Sequence, residues 1–262
     1  MRYATAPPTS ASTPMYALLS AKDLRDRYGI RCSAALLGFE NLVADPRKLA
    51  AGYLRAAQGR GTKIFAPVDV VEVEESARQI VATTRDGETL RAAHVVYATG
   101  YELAKGIPAK GHSIASTWAM ATRPQPSKLW PTECMIWEAS ERYLYLRTTL
   151  DGRIVIGGED ESFRDEERRD ALSARKTRTL ERKLHAMFPD VHPEADYHWT
   201  GSFGASDSGT PSIGRVPGKR RSLAVLGYGG NGITFSMLAA QIIRGIVTGR
   251  GDPDEQLFAL RR

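Results

Sequence analysis

The chain has 262 residues, of which 42% are hydrophobic, 25% charged and 8% aromatic, and its mean hydropathy is -0.33. A chain of this length and composition folds as a globular protein without needing disulfides or metals. The composition excludes a small disulfide-stabilised scaffold, and the apolar runs fall short of the roughly 18 residues of a membrane span. The sequence therefore predicts a soluble protein with one large domain or two lobes.

The net charge is +6, from 36 Lys and Arg against 30 Asp and Glu. Basic and acidic residues are interleaved, as in 166–170, so the charge indicates a solvated surface, with nucleic-acid binding as a weaker alternative. Cys32 and Cys134 belong to no Cys/His cluster, and the first residues lack the apolar core of a secretory signal. We therefore expect a cytoplasmic protein with no metal site.

The amino-terminal part of the chain is expected to be a flexible tail and connector over residues 1–34, because its first fourteen residues are rich in Pro, Ser, Thr and Ala. Asp45 and Pro46 then predict the start of a helix, since the carboxylate can cap free amide groups and proline fits the first turn. Gly59 and Gly61 should end it. Its apolar face is predicted to consist of Leu49, Tyr53, Leu54 and Ala57.

An antiparallel meander of three strands is predicted next. Asp86 and Gly87 supply the tight turn between its last two strands, because glycine accepts a positive φ. The final piece, 95–98, is a continuous apolar run typical of a strand covered on both faces, and it stops at Thr99 and Gly100. The three predicted strands cover 68–73, 79–84 and 89–96.

A second sheet is predicted between about residues 116 and 158. Within it Tyr143, Tyr145 and Arg147 alternate with leucines, which places a polar stripe on one face of a strand. The sheet is followed by a predicted amphipathic helix over 165–188, which should cover it.

The last element pair is a short apolar strand at 223–226 and a helix over 233–247, joined by a glycine-rich turn. Gly227, Gly229 and Gly232 match G-x-G-x-x-G, in which the lack of side chains lets backbone amides approach an anion. A complete dinucleotide-binding unit continues to a second strand with an acid about 20 residues on. Asp252 precedes a proline instead, so we reject a complete βαβ unit here, and tight strand-to-helix packing stays an alternative role for the glycines.

Seven motifs in this order carry a family resemblance. The chain from about Leu18 onward resembles the FAD-dependent oxidoreductases of the D-amino acid oxidase, glycine oxidase and sarcosine oxidase superfamily. The motifs are Asp-Pro at 45–46, Val-Val-Tyr-Ala-Thr-Gly at 95–100, Tyr-Leu-Tyr-Leu-Arg at 143–147, Asp-Gly-Arg-Ile-Val-Ile-Gly-Gly-Glu-Asp at 151–160, Gly-Ser-Phe-Gly at 201–204, Gly-Thr-Pro-Ser-Ile-Gly at 209–214 and Gly-Tyr-Gly-Gly-Asn-Gly-Ile at 227–233.

The resemblance implies an α+β or α/β, two-lobed flavoprotein-like fold with an incomplete FAD-binding lobe and an antiparallel-sheet substrate lobe. Family members open with a βαβ unit that holds the FAD pyrophosphate, and this chain shows no such unit. By resemblance, the FAD lobe would comprise 35–105 and 200–262 and the substrate lobe 106–199. A partner chain or an upstream segment would complete the FAD site.

The resemblance also implies which residues meet FAD. Val68 would meet the adenine through its backbone, and Thr99 and Gly100 would pass close to the phosphates or ribose. The turn and helix start near the carboxyl end would aim amide groups at the pyrimidine edge of the isoalloxazine, where reduction places negative charge. The residues implied there are Gly229, Gly230, Asn231, Gly232 and Ile233.

For the substrate, the resemblance implies an amine or amino acid that loses hydride from carbon to flavin. Arg147 would clamp a carboxylate, Tyr145 would donate a hydrogen bond beside it, and Tyr228 would flank the ring. The competing roles are a cross-strand ion pair for Arg147 and simple packing for Tyr228. For the whole chain, the alternative is a non-catalytic remnant or a partner-dependent half of a split flavoenzyme.

Overall fold

The computed structural model describes residues 16–39, 41–108, 110–140 and 143–260. Within these residues the chain forms thirteen strands, five α-helices and a short 3-10 helix at Pro126–Lys128. The strands are β1 (Tyr16–Ser20), β2 (Ala34–Gly38), β3 (Val70–Glu75), β4 (Ile80–Thr84), β5 (Thr89–Ala92), β6 (Val95–Tyr97), β7 (His112–Thr122), β8 (Ile136–Trp137), β9 (Leu144–Thr148), β10 (Ile154–Glu161), β11 (Ala195–Ser206), β12 (Ser212–Arg215) and β13 (Ser222–Leu226). The helices are α1 (Ala21–Tyr28), α2 (Pro46–Gln58), α3 (Glu166–Ala171), α4 (Ser173–Met187) and α5 (Gly232–Thr248).

The chain divides into two compact units, each made of two stretches of sequence. The first unit comprises the described residues up to 44 together with 116–201, and the second comprises 45–115 and 202–262 as far as the structure describes them. The mixture of helices with largely antiparallel sheets confirms the α/β class. The boundaries at 44 and 115 lie about ten residues later than the sequence-based boundaries at 34 and 105.

The stretch 16–38 is folded, which corrects the expected connector. β1 and β2 pair antiparallel, and α1 begins with a capping box in which Ser20 and Asp23 bond each other's backbone amides. Leu24 and Tyr28 are buried in the core of the first unit. The residues before 16, where the tail was expected, lie outside the described part of the chain.

The first unit is built on a five-stranded sheet of order β11-β7-β10-β9-β8. The predicted alternation in β9 is confirmed, because Leu144 and Leu146 are buried and pair with buried positions of β10. Leu180 and Leu184 of α4 lie in the same core and are fully buried. The single helix predicted over 165–188 is two helices, because the chain changes direction at Leu172 between α3 and α4.

The second unit contains two small sheets. β3, β4 and β5 form the predicted antiparallel meander with a turn at Asp86 and Gly87, whose φ is 87°. The expected third strand over 89–96 is wrong, because the chain leaves this sheet after Ala92. β6 instead pairs in parallel with β13, in a sheet of order β12-β13-β6 that packs against α5.

Several apolar side chains of the second unit are uncovered. Val96 of β6 is 42% exposed, so the expectation of a strand covered on both faces is wrong for the described residues, where β6 is an edge strand.

Asp45 caps α2 as predicted, with its carboxylate accepting from the amides of the first turn. However, α2 has no buried residue, and Tyr53 and Leu54 are 61% and 53% exposed.

None of the helices in the described residues has the length and apolar character required to cross a membrane.

Candidate functional site

The carboxyl ends of β6 and β13 meet at one edge of their sheet, because the two strands run parallel with Leu223 beside Val96. The loop after β6 contains Thr99 and Gly100, and the loop after β13 is the glycine-rich turn. In α/β folds this edge is where ligands bind. The structure therefore brings together two of the segments that the sequence singled out for the cofactor.

Glycine is required in the turn after β13 for two reasons. Gly227 and Gly229 have φ values of 72° and 56°, which side chains disfavour. A Cβ on Gly227 would also lie 2.5 Å from Nδ1 of His112, whose other ring nitrogen lies 3.0 Å from Oγ of Ser212. The amide of Gly229 donates to the carbonyl of Gly204 at 2.7 Å, so the turn is held from both sides.

The amino terminus of α5 faces open space. Asn231 occupies the capping position but makes no side-chain hydrogen bond to the first turn, and a Cβ on Gly229 or Gly232 would meet no atom within 4 Å. Ile233 is 47% exposed. Uncapped amides at the positive end of a seventeen-residue helix favour an electron-rich group, and the pyrimidine edge of a flavin is such a group. The residues present fit that part of FAD.

The remaining cofactor residues are exposed at their positions. Thr99 donates a hydrogen bond from its hydroxyl to the carbonyl of Glu102, and Gly100 has a φ of 67°. Val68 is 49% exposed in the segment before β3, which belongs to the other sheet of the second unit. Thr99 and Gly100 thus lie at the same sheet edge as the glycine-rich turn, whereas Val68 lies on a separate sheet.

Tyr228 packs within the second unit. Its ring stacks on Phe235 of α5, with centroids 6.4 Å apart and an interplanar angle of 25°. Burial raises the pKa of its hydroxyl. The ring therefore packs against α5. The place of Tyr228 beside the flavin stays a prediction.

The polar face of the first unit's sheet carries Tyr143 and Tyr145. Gly157 lies opposite Tyr145 in register, and a Cβ there would collide with the tyrosine hydroxyl, so glycine is what lets the ring lie across β10. The two tyrosine rings are 6.3 Å apart, and Trp137 lies 5.9 Å from Tyr143. Burial, together with the charge of Asp160, raises the pKa of Tyr143 to about 12. Burial also raises the pKa of Tyr145.

Arg147 follows on the same face of β9 and is exposed. Its guanidinium has no carboxylate within ion-pair distance among the described side chains, so the cross-strand ion pair that competed with a substrate role is not observed. The structure leaves Arg147 available on the face that carries the tyrosines.

Asp160 is a candidate that the sequence reasoning missed. Its Oδ1 is buried and has no hydrogen-bond partner, and the same holds for Oγ1 of Thr117. Burial raises the pKa of Asp160, an effect that the nearby hydroxyls of Thr117 and Tyr143 offset in part. The only sequence signal was an acid that follows two glycines in an otherwise apolar strand. Among the described residues no group of three or more His, Cys, Asp or Glu is arranged to hold a metal.

Comparison with known proteins agrees with this geometry. The family model described as FAD dependent oxidoreductase (DAO) matches residues 7–245. The chain is 26% identical to the gamma-glutamylputrescine oxidoreductase of Escherichia coli K12 over 90% of this chain and 55% of that protein. It is 23% identical to the glycine oxidase of Bacillus subtilis over 85% of this chain and 59% of that protein. It therefore spans less than two thirds of the length of either relative.

The fold is similar to the crystal structure of glycine oxidase from Geobacillus kaustophilus, with a TM-score of 0.79, 20% identity, and coverage of 94% of this chain and 67% of that one. The family match extends across both units and includes the glycine-rich turn and the tyrosine-bearing strand. From its sequence and its fold, the chain belongs to the DAO family of FAD-dependent oxidoreductases.

Proposed function

We propose that this chain works as an FAD-dependent oxidoreductase that acts on amines or amino acids. The observation that carries the proposal is the uncapped, open amino terminus of α5, which lies at the carboxyl ends of two parallel strands. The family membership supports it, because the family is described by this cofactor and this reaction type. We assign FAD binding to the second unit and substrate binding to the first.

Bound FAD would supply the acceptor for the hydride that leaves the substrate carbon. The amides of Gly229, Gly230, Asn231, Gly232 and Ile233 would hold negative charge at the start of α5. Thr99, Gly100 and Val68 would contact the remainder of the cofactor through their backbone.

On the substrate side, Arg147 would form paired hydrogen bonds to a carboxylate, and Tyr145 would orient the substrate next to it. Tyr228, whose ring is stacked on Phe235, would flank the flavin ring. Arg147 without an ion pair and Tyr145 held over Gly157 support these two assignments.

A further polypeptide segment would complete the FAD site, from a partner chain or from upstream. The open edge of β6, the exposed Val96 and the unburied α2 support this, because strand edges and apolar faces of this kind are normally covered. Cys32 and Cys134 are both free, which supports a reducing, cytoplasmic location.

The test is an FAD titration of the purified chain, alone and together with the amino-terminal segment of a relative such as the Bacillus subtilis glycine oxidase. We expect flavin absorbance to co-elute with the protein in at least one of the two conditions. The diagnostic variant is Gly232→Glu, since the new side chain enters open space and suits a helix start but repels a negatively charged flavin edge.

Gly232→Glu should weaken FAD binding at least tenfold while the thermal midpoint stays the same or rises. Gly52→Glu in α2 is the matched control, because a Cβ there also meets no atom within 4 Å, and it should bind FAD like the natural chain. Normal binding by Gly232→Glu, or no binding under either condition, would contradict the proposed function.

A further inference from the structure

The end of β10 contains a β-bulge. β10 pairs regularly with β7 as far as Gly158, and the register then shifts before Glu161. Glu159 lies inside this shift with a φ of 60°, a left-handed conformation that non-glycine residues rarely adopt. Bulges of this kind redirect a side chain and are common beside active sites.

The bulge is held from α4 by two lysines. Lys176 is 4% exposed, and its Nζ donates to the carbonyl of Glu159 at 2.7 Å and to Oε1 of Glu161 at 2.8 Å. Lys183 pairs with the carboxylate of Glu159, which is itself buried. Buried charges that are paired and hydrogen-bonded in this way fix the backbone to which they are attached.

As a consequence, Asp160 lies next to the side chains of Tyr145 in β9 and of Tyr143, which immediately precedes β9. Its carboxylate is close enough to Tyr143 for its charge to raise the pKa of the tyrosine hydroxyl. The nearest lysine, Lys176, is committed to Glu159 and Glu161. The hydroxyls of Thr117 and Tyr143 lie close to the Asp160 carboxylate, but its buried Oδ1 has no hydrogen-bond partner among the described residues.

A buried carboxylate oxygen without a donor calls for a ligand that donates hydrogen bonds and carries positive charge. The rings of Trp137, Tyr143 and Tyr145 form a cluster beside Asp160, and the electron-rich faces of aromatic rings attract ammonium groups. A ligand carboxylate or phosphate would be repelled. The combination is selective for a protonated amine.

We propose that Asp160, with the rings of Tyr143 and Tyr145, forms a specificity-determining subsite for a protonated ammonium group of the substrate. This rests on the proposed function and adds a second polar contact to that of Arg147. Hydride leaves a carbon next to a nitrogen only when that nitrogen has a free lone pair, whereas a carboxylate keeps its partner protonated. The nitrogen held by Asp160 is therefore a second one, and the substrate class is a diamine or an amino acid with a basic side chain.

The binding test uses ligand-observed NMR on the chain without flavin. Butylamine and 1,4-diaminobutane should bind, and butan-1-ol should not. Asp160→Asn should weaken amine binding at least tenfold, which is the loss expected for a charge-assisted hydrogen bond. Asp26→Asn is the matched control, because Asp26 is exposed on α1 of the same unit, and it should bind as the natural chain does.

A second pair of variants checks the aromatic part of the subsite. Tyr143→Leu should weaken amine binding severalfold, and Tyr143→Phe should retain it because the ring remains. The subsite is overturned if folded Asp160→Asn binds the amines as well as the natural chain, or if the natural chain binds none of them at millimolar concentration.

A kinetic test on the flavin-loaded protein asks whether the substrate needs a second nitrogen besides the one next to the oxidised carbon. The kcat/KM for 1,4-diaminobutane should exceed that for butylamine at least tenfold, and Asp160→Asn should remove this preference while the flavin spectrum stays unchanged. Equal values in the natural protein would overturn the diamine assignment. If the chain fails to load FAD, the proposed function fails, and the NMR result still decides the subsite.

Discussion

The two units build their candidate sites from different parts of the chain. In the second unit the site is made of backbone, since glycines shape the turn and the first-turn amides of α5 have no side-chain cap. In the first unit it is made of side chains, namely two tyrosines, an arginine and a half-buried aspartate on one sheet face. The candidate site of the second unit therefore depends on the φ angles of its glycines and on open space around them. The candidate site of the first unit depends on strand register and on how its charged side chains are buried.

The largest expected effect is on the side-chain site. Lys176→Met should lower the free energy of unfolding by about 3–5 kcal/mol, because it leaves the carbonyl of Glu159 and the carboxylate of Glu161 without their buried donor. Lys183→Met should lower it by only about 1 kcal/mol, since Lys183 is 35% exposed and Lys176 stays 3.7 Å from the carboxylate of Glu159. Urea denaturation followed by circular dichroism measures both values. If the two variants lost equal free energy of unfolding, buried Lys176 would not stabilise the bulge more than partly exposed Lys183 does.

The next effect sharpens the picture of the backbone site. Gly227→Ala should lower the free energy of unfolding by about 1–3 kcal/mol, because it adds a clash with His112 to the strain of a positive φ. Gly87 has a φ of 87°, but a Cβ there would meet no atom within 4 Å. The loss of stability in Gly87→Ala should therefore reflect the backbone strain alone. A double variant with His112→Ala should recover part of the difference. Identical losses for the two glycines would mean that the histidine ring imposes no constraint.

The smallest effect concerns pH. Burial raises the pKa of Asp160, so the folded chain holds this proton more tightly than the unfolded chain, in which the pKa has its ordinary value of 3.8. The stability that this group contributes is full below that value and is lost as the pH rises through the folded pKa. Asp160→Asn cannot ionise, so its stability relative to the natural chain should increase from acid to neutral pH. Thermal unfolding at several pH values measures this, and a difference that shrinks toward neutral pH would contradict it.

Much of the second unit could be predicted from local chemistry. Asp45 caps α2, Gly87 turns the hairpin, and a buried strand leads through glycines into α5, all as their residue types indicate. The pairing of β6 with β13 could not be predicted, because a run of three apolar residues does not specify which strand it pairs with. Its exposure also departs from its composition, because burial depends on what the rest of the chain provides.

In the first unit, the alternation in β9 predicted the polar face, but its most unusual member was not found. Asp160 reaches that face because a bulge breaks the two-residue period of β10, and period-based reasoning assumes that no bulge exists. The elements within 16–34, which were assigned to a connector, were not predicted for a different reason. Its capping box at Ser20 and Asp23 is a helix signal, but the composition of the residues before it suggested a tail.

The attachment of Lys176 to the main chain of Glu159 has a consequence for evolution and for engineering. Replacements in α4, on the opposite side of the sheet from the tyrosines, would shift the bulge and with it the aspartate that follows. Ligand preference would then change through positions that never touch a ligand. Libraries aimed at altered selectivity should therefore include this helix as well as the residues lining the sheet face.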